Sequence, residues 1–166
     1  MLIAILLTLI SPSNAAEVKP GVALYGGLSA GSDGALLGGG GVTGSLQWRV
    51  LKHVGVEAGL RQVTLGDPMF DVSMVRLVAR RQGRHLWYTG GLALSDERCR
   101  CAEDTRASRS GFEIGWGLRG NLPGSQRRLG WQWGWNATYF PSNYEARTYL
   151  TSDLGMTVKL GGGKKG

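Results

Sequence analysis

Histidine, cysteine and proline are scarce in this chain of 166 residues, which has two, two and five of them. The two histidines, His53 and His85, leave little room for imidazole-based acid–base catalysis. The loop that carries Cys99 and Cys101 offers only carboxylates beside them, short of the thiolate and imidazole ligands that a zinc site needs. Long apolar runs are missing as well. The run from Met1 to Ile10 stops at Ser11-Pro12, about half of the ~20 residues that a membrane-spanning helix needs. No later segment is apolar for long enough, so strands would have to carry the chain into a membrane. The glycines Gly38 to Gly41 lack the Lys-Ser/Thr ending of a phosphate loop, and they read as a flexible external loop.

Glycine and tryptophan are plentiful. The 28 glycines are about twice what an average usage of ~7% would give. Each costs ~1 kcal/mol relative to alanine inside a helix, so the composition argues against a helical protein. Six tryptophans stand beside only three phenylalanines, and indole favours sites with one apolar and one wet neighbour. The apolar start, followed by the small residues Ser13-Asn14-Ala15, has the layout of a secretory signal. Residues 1–15 are therefore expected to be a cleaved signal peptide and 16–166 one exported domain. No cysteine follows the run, so a lipid anchor is not indicated.

The remainder alternates with period 2, the mark of strands with two unlike faces. Val42, Leu46, Trp48 and Val50 oppose Thr43, Ser45, Gln47 and Arg49. Phe112, Ile114, Trp116 and Leu118 oppose Glu113, Gly115, Gly117 and Arg119. Leu129, Trp131, Trp133, Trp135 and Tyr139 oppose Gly130, Gln132, Gly134 and Asn136. In residues 146–160, Leu150, Leu154, Met156 and Val158 oppose Arg147, Tyr149, Asp153 and Lys159. Less regular segments at 22–30, 54–61, 72–80 and 85–94 bring the expected strands to eight, an even number as a closed bacterial barrel requires. Expected connections alternate between moderate turns (52–53, 81–84, 121–128) and loops at 31–41, 66–71, 95–110 and 140–145. Short periplasmic turns and longer external loops are the asymmetry of an all-β, up-and-down transmembrane barrel.

Which face points outward follows from volume. An eight-stranded barrel is just wide enough inside for side chains to fill. Trp48, Trp116, Trp131, Trp133, Trp135 and Tyr139 would overpack it, so they are assigned to the lipid. The glycine-rich opposite face leaves room for long charged chains. The lumen is then expected to hold Arg49, Arg61, Arg76, Arg80, Arg119, Arg147 and Lys159 with Glu57, Glu113 and Asp153, in shared bidentate contacts. External loops carry an excess of acids, whereas the periplasmic turns and tail carry Lys52, Arg81, Arg84, Arg127, Arg128, Lys164 and Lys165. That rim would meet anionic inner-leaflet lipid, so the basic net charge of +7 calls for no nucleic acid.

Across roughly residues 20–160 these strands resemble the small outer-membrane barrels of the OmpX and OmpA-transmembrane-domain type. The resemblance rests on architecture. It implies a monomer in the outer membrane of a Gram-negative-type bacterium, without cofactor or metal, with a structural, adhesion or envelope-interaction role. Its partners would be membrane lipids and lipopolysaccharide, and a surface or host protein met through loops 31–41 and 95–110. Cys99 and Cys101, in the longest loop, read as a strained, loop-tightening disulfide, with a redox-active or intermolecular pair as the alternative. Two other readings remain. A lipid A deacylase or acyltransferase would need a general base at the outer leaflet, while His53 and His85 lie at periplasmic turns. A soluble lipocalin-like barrel would bury the apolar face around a ligand.

Overall fold

Eight antiparallel strands close on themselves in chain order, each bonded to its sequence neighbours and β8 to β1. They are β1 (Gly21–Asp33), β2 (Gly38–Arg49), β3 (Val54–Leu65), β4 (Phe70–Gln82), β5 (Leu86–Cys99), β6 (Thr105–Asn121), β7 (Leu129–Phe140) and β8 (Arg147–Leu160). The computed structural model describes residues 21–33, 38–66, 70–99, 105–125, 128–142 and 146–160. The expected signal peptide lies outside the described residues. No described helix is long and apolar enough to cross a membrane, which leaves strands free to do so. The start of β1 and the end of β8 share one end of the barrel, here the near end.

All eight expected strands are present, and several run further than expected. Alternation marks a strand only where one face is apolar. In β1, β2, β5 and β6 both faces turn polar or glycine-rich towards the far end, and the backbone pairing continues without that signal. Gly38 to Gly41 belong to β2, where Gly39, Gly40 and Gly41 pair with Gly31, Ala30 and Ser29 of β1. They are not the flexible loop that the glycine run suggested. A Cβ at Gly39 or Gly41 would collide with the β3 backbone, so the glycines allow close strand approach. Of the expected loop 95–110, residues 95–99 and 105–110 belong to the paired β5 and β6, with Cys99 opposite Thr105, while 100–104 lie outside the described residues. Between β6 and β7, Pro123 and Gly124 occupy the central positions of a turn closed by Ser125 N–H donating to the Leu122 carbonyl at 3.4 Å. Gly124 has φ +73°, as a type II turn demands at its third residue.

The apolar face is outside. Leu28, Leu60 and Ile114 are 69%, 64% and 67% exposed, and comparable residues recur on all eight strands. The inside-out, ligand-burying arrangement is thereby ruled out. On β8 the outward face runs from Leu150 to Leu160. At ~3.4 Å per residue and a tilt of about 40°, that belt is about 26 Å tall, close to the ≈25 Å band of outer-membrane barrels. Trp48, Trp116, Trp131, Trp135 and Tyr139 are exposed on it, with Trp133 partly covered. Tyr139 pairs with Phe112 towards the far end, and Trp116 with Trp135 and Tyr88 nearer the other.

Candidate functional site

Period-2 geometry sends Glu57 and Arg61 of β3, Arg76 and Arg80 of β4, Glu113 of β6 and Asp153 of β8 into the lumen, where none is more than 3% exposed. They form one ladder of alternating charge. At its near end Arg80 donates to Gln132 Oε1 at 2.6 Å and to Glu57 Oε2 at 2.5 Å. Arg76 bridges Glu57 and Glu113, reaching the latter's Oε1 at 2.7 Å. Arg61 donates to Glu113 Oε2 at 2.9 Å and grips both oxygens of Asp153, at 2.6 and 3.3 Å. Ser29, Asn136 and Thr138 complete the carboxylates, donating at 2.6, 2.9 and 3.1 Å. Three guanidiniums and three carboxylates balance, which is how a narrow interior tolerates charge. Register explains the room: Arg80 lies opposite Gly55 and Arg76 opposite Gly59, where a Cβ would stand 2.8 Å from Arg76 Nε.

The other four residues expected in this network are not part of the ladder. Arg49, Arg119 and Lys159 sit at the near mouth, where Arg119 donates to Gln82 and Lys159 to Asn121 Oδ1 at 3.3 Å. Arg147 lies towards the far mouth, 3.5 Å from Glu97. Glu97 was overlooked because 95–110 read as loop; it is buried and also holds Arg109 Nε at 3.1 Å.

Trp87 is the second residue that sequence reasoning missed. It is the one tryptophan pointing inward, stacked on Arg80 at 4.4 Å and donating from Nε1 to the Leu118 carbonyl at 3.3 Å. Gly117 and Gly134 face each other across β6 and β7, and a Cβ on either would strike the indole. The pair of glycines makes the space that the volume argument denied.

Beyond the ladder, an apolar cluster fills part of the far half of the lumen, beside the buried Ser95, Glu97 and Thr151. Val63, Leu65, Val72, Met74, Ala93, Phe140 and Tyr149 pack together, Phe140 meeting Tyr149 edge to face at 5.8 Å. Beside this cluster lie Glu97, across from Val72, and its arginines, with Arg147 over the Phe70 ring at 5.1 Å. On the outward side of the β5–β6 extension, Arg106 grips Asp96 at 2.8 and 2.7 Å and holds that carboxyl below its usual range. Cys99 is disulfide-bonded, while Cys101 lies outside the described residues. The far wall is uneven, because β6 begins at Thr105 whereas β7 stops at Phe140. In the step lies an open cleft of about 420 Å³ lined by Ala107, Ser108, Arg109, Ser110, Pro141 and Ser142. Both histidines are at the opposite end; His53 Nδ1 is 3.1 Å from the Gln82 carbonyl. Among the described residues no three His, Cys, Asp or Glu side chains could hold a metal ion.

No protein-family model and no curated protein matches the chain. Solved structures do. Neisserial surface protein A is similar over 85% of this chain and 97% of its own, at 12% identity and TM-score 0.62. The N-terminal β-barrel domain of Pseudomonas aeruginosa OprF matches over 83% and 97%, at 15% identity and 0.57. Ail, the attachment invasion locus protein of Yersinia pestis, matches over 87% and 99%, at 13% identity and 0.54. The chain thus has the fold of small outer-membrane barrels.

Proposed function

We propose that the protein is a non-conducting outer-membrane barrel whose working surface is its far, extracellular end, where it contacts the saccharide of lipopolysaccharide or of a host surface. The observation that carries this reading is the filled lumen. A charge-balanced ladder occupies its middle, and an apolar plug with the buried Ser95, Glu97 and Thr151 its far half, so chemistry and transport have no space there. A belt of exposed leucine, isoleucine and tryptophan on all strands is intolerable in water and ordinary in lipid. What remains accessible is the tall β5–β6 extension and the cleft beside it. Serine hydroxyls and guanidiniums there are donors suited to sugar hydroxyls and their anionic substituents. The binding of the heparin analogue sucrose octasulfate by Ail supports the same chemistry. Enzymatic turnover of lipid A is disfavoured, because His53 and His85 lie at the periplasmic end.

The test is adhesion. Cells displaying the full barrel are applied to surfaces coated with lipopolysaccharide or sulfated glycan. A variant in which a short turn replaces residues 96–108 serves as control. Binding that the shortened variant loses supports the proposal. A wild-type barrel that is present at the surface and binds neither coat overturns it.

A further inference from the structure

The near end of the barrel carries a one-sided charge. Its three described turns, 50–53, 83–85 and 122–128 where described, together with the strand ends beside them, contain no Asp or Glu. They contain Lys52, Arg81, Arg84 and Arg128, all exposed. Among the described residues the nearest acid along the chain, Glu57, is buried and held by Arg76 and Arg80. At the far end, by contrast, Asp96 and Glu97 sit among arginines.

These cations adjoin the apolar belt. Arg81 continues the outward row Val75, Leu77, Ala79 on β4 and lies directly across from Tyr88, which is 53% exposed on β5. Lys52 follows Val50 and Leu51, which remain 48% and 38% exposed in their turn. Arg84 precedes Leu86, also exposed, by two residues. Each site thus offers an apolar or aromatic contact at acyl-chain depth and a cation one step further out. A lipid headgroup matches that sequence of polarity, whereas a soluble polyanion would need only the charge.

We infer that Lys52, Arg81, Arg84 and Arg128 form a binding rim for the phosphates of anionic phospholipid in the periplasmic leaflet. The inference rests on the membrane reading above and specifies a lipid partner at the other end of the molecule. A cation near an anionic surface is worth a local enrichment of roughly fivefold, and screening over a Debye length of about 10 Å at 0.1 M salt removes it.

The experiment uses the full chain folded into phosphatidylcholine vesicles containing dibrominated phosphatidylglycerol or, at equal mole fraction, dibrominated phosphatidylcholine. Bromine quenches the belt tryptophans from adjacent acyl chains. Quenching by the anionic lipid is expected to exceed that by the zwitterionic one at low salt, with a relative affinity several-fold above unity. Molar salt should bring the two to parity, and millimolar inorganic phosphate should not. The variant carrying Lys52→Gln, Arg81→Gln, Arg84→Gln and Arg128→Gln should start at parity. Equal quenching in the wild type, or a preference that the variant keeps, overturns the inference while leaving the membrane reading intact. No quenching by either lipid overturns both.

Discussion

Glu113 is the joint of the lumenal ladder. It is fully buried and accepts from Arg61 at 2.9 Å, Arg76 at 2.7 Å and Thr138 at 3.1 Å. Glu113→Gln keeps the shape but removes the charge. The ladder then separates into a neutral half, Arg61 with Asp153, and a half in which Arg76 and Arg80 share Glu57 alone. One positive charge is left without a counterion in a space closed by protein on every side. Removing one partner of a buried pair typically costs ~3–5 kcal/mol. The retained amide recovers one acceptor, so a loss of about 3 kcal/mol is expected in urea unfolding of the vesicle-inserted barrel. Arg76→Met on top of Glu113→Gln rebalances the charge at Glu57 with Arg80 and should recover about half of that loss. A single-variant loss below about 1 kcal/mol, or a double variant no better than additive, would refute the claim that these charges are dry and coupled.

Three further predictions test other levels of the structure. Trp87→Ala empties the cradle of Gly117 and Gly134 and exposes one face of Arg80, so unfolding stability should fall by about 3–5 kcal/mol; an unchanged urea midpoint would show that the lumen is loosely filled there. In planar bilayers the wild type should show no conductance steps, whereas Phe140→Ala with Tyr149→Ala, which opens the apolar plug, should show small ones. Steady conductance in the wild type would contradict the seal. Leu77→Arg, on the outward face of β4 at 57% exposure, should cost ~2–4 kcal/mol and hinder insertion if lipid surrounds it. A neutral effect would mean that water does.

The fold was legible in the sequence because one period decided it. Alternation from Phe112 to Leu118 or Trp131 to Tyr139 assigns every side chain to a face, and the excess of indole decides which face is wet. It also sends the six members of the ladder, and the glycines beside them, to one face together with Arg49, Arg119, Arg147 and Lys159. What it could not supply was partnership across strands. Parity with Leu86 and Tyr88 puts Trp87 on the lumenal face, but the space that admits an indole there appears only when register sets Gly117 against Gly134. The apolar plug is drawn from five strands, and its members look like isolated breaks in a polar face, as Met74 does on β4. Strand ends were underestimated where the pattern has two polar faces, which hid Glu97 and made paired residues at 38–41, 95–99 and 105–109 read as loop. Arg49, Arg119, Arg147 and Lys159 share the parity of the ladder but not its depth, and period alone carries no depth.

The central claim is that the apolar face lies in a lipid bilayer around a closed, plugged barrel. Fractionating expressing cells and running the outer-membrane fraction on a denaturing gel, with and without boiling, tests it most directly. The band should be in that fraction and should change mobility on boiling, as a detergent-resistant closed barrel does. A soluble band with the same mobility under both conditions would contradict it.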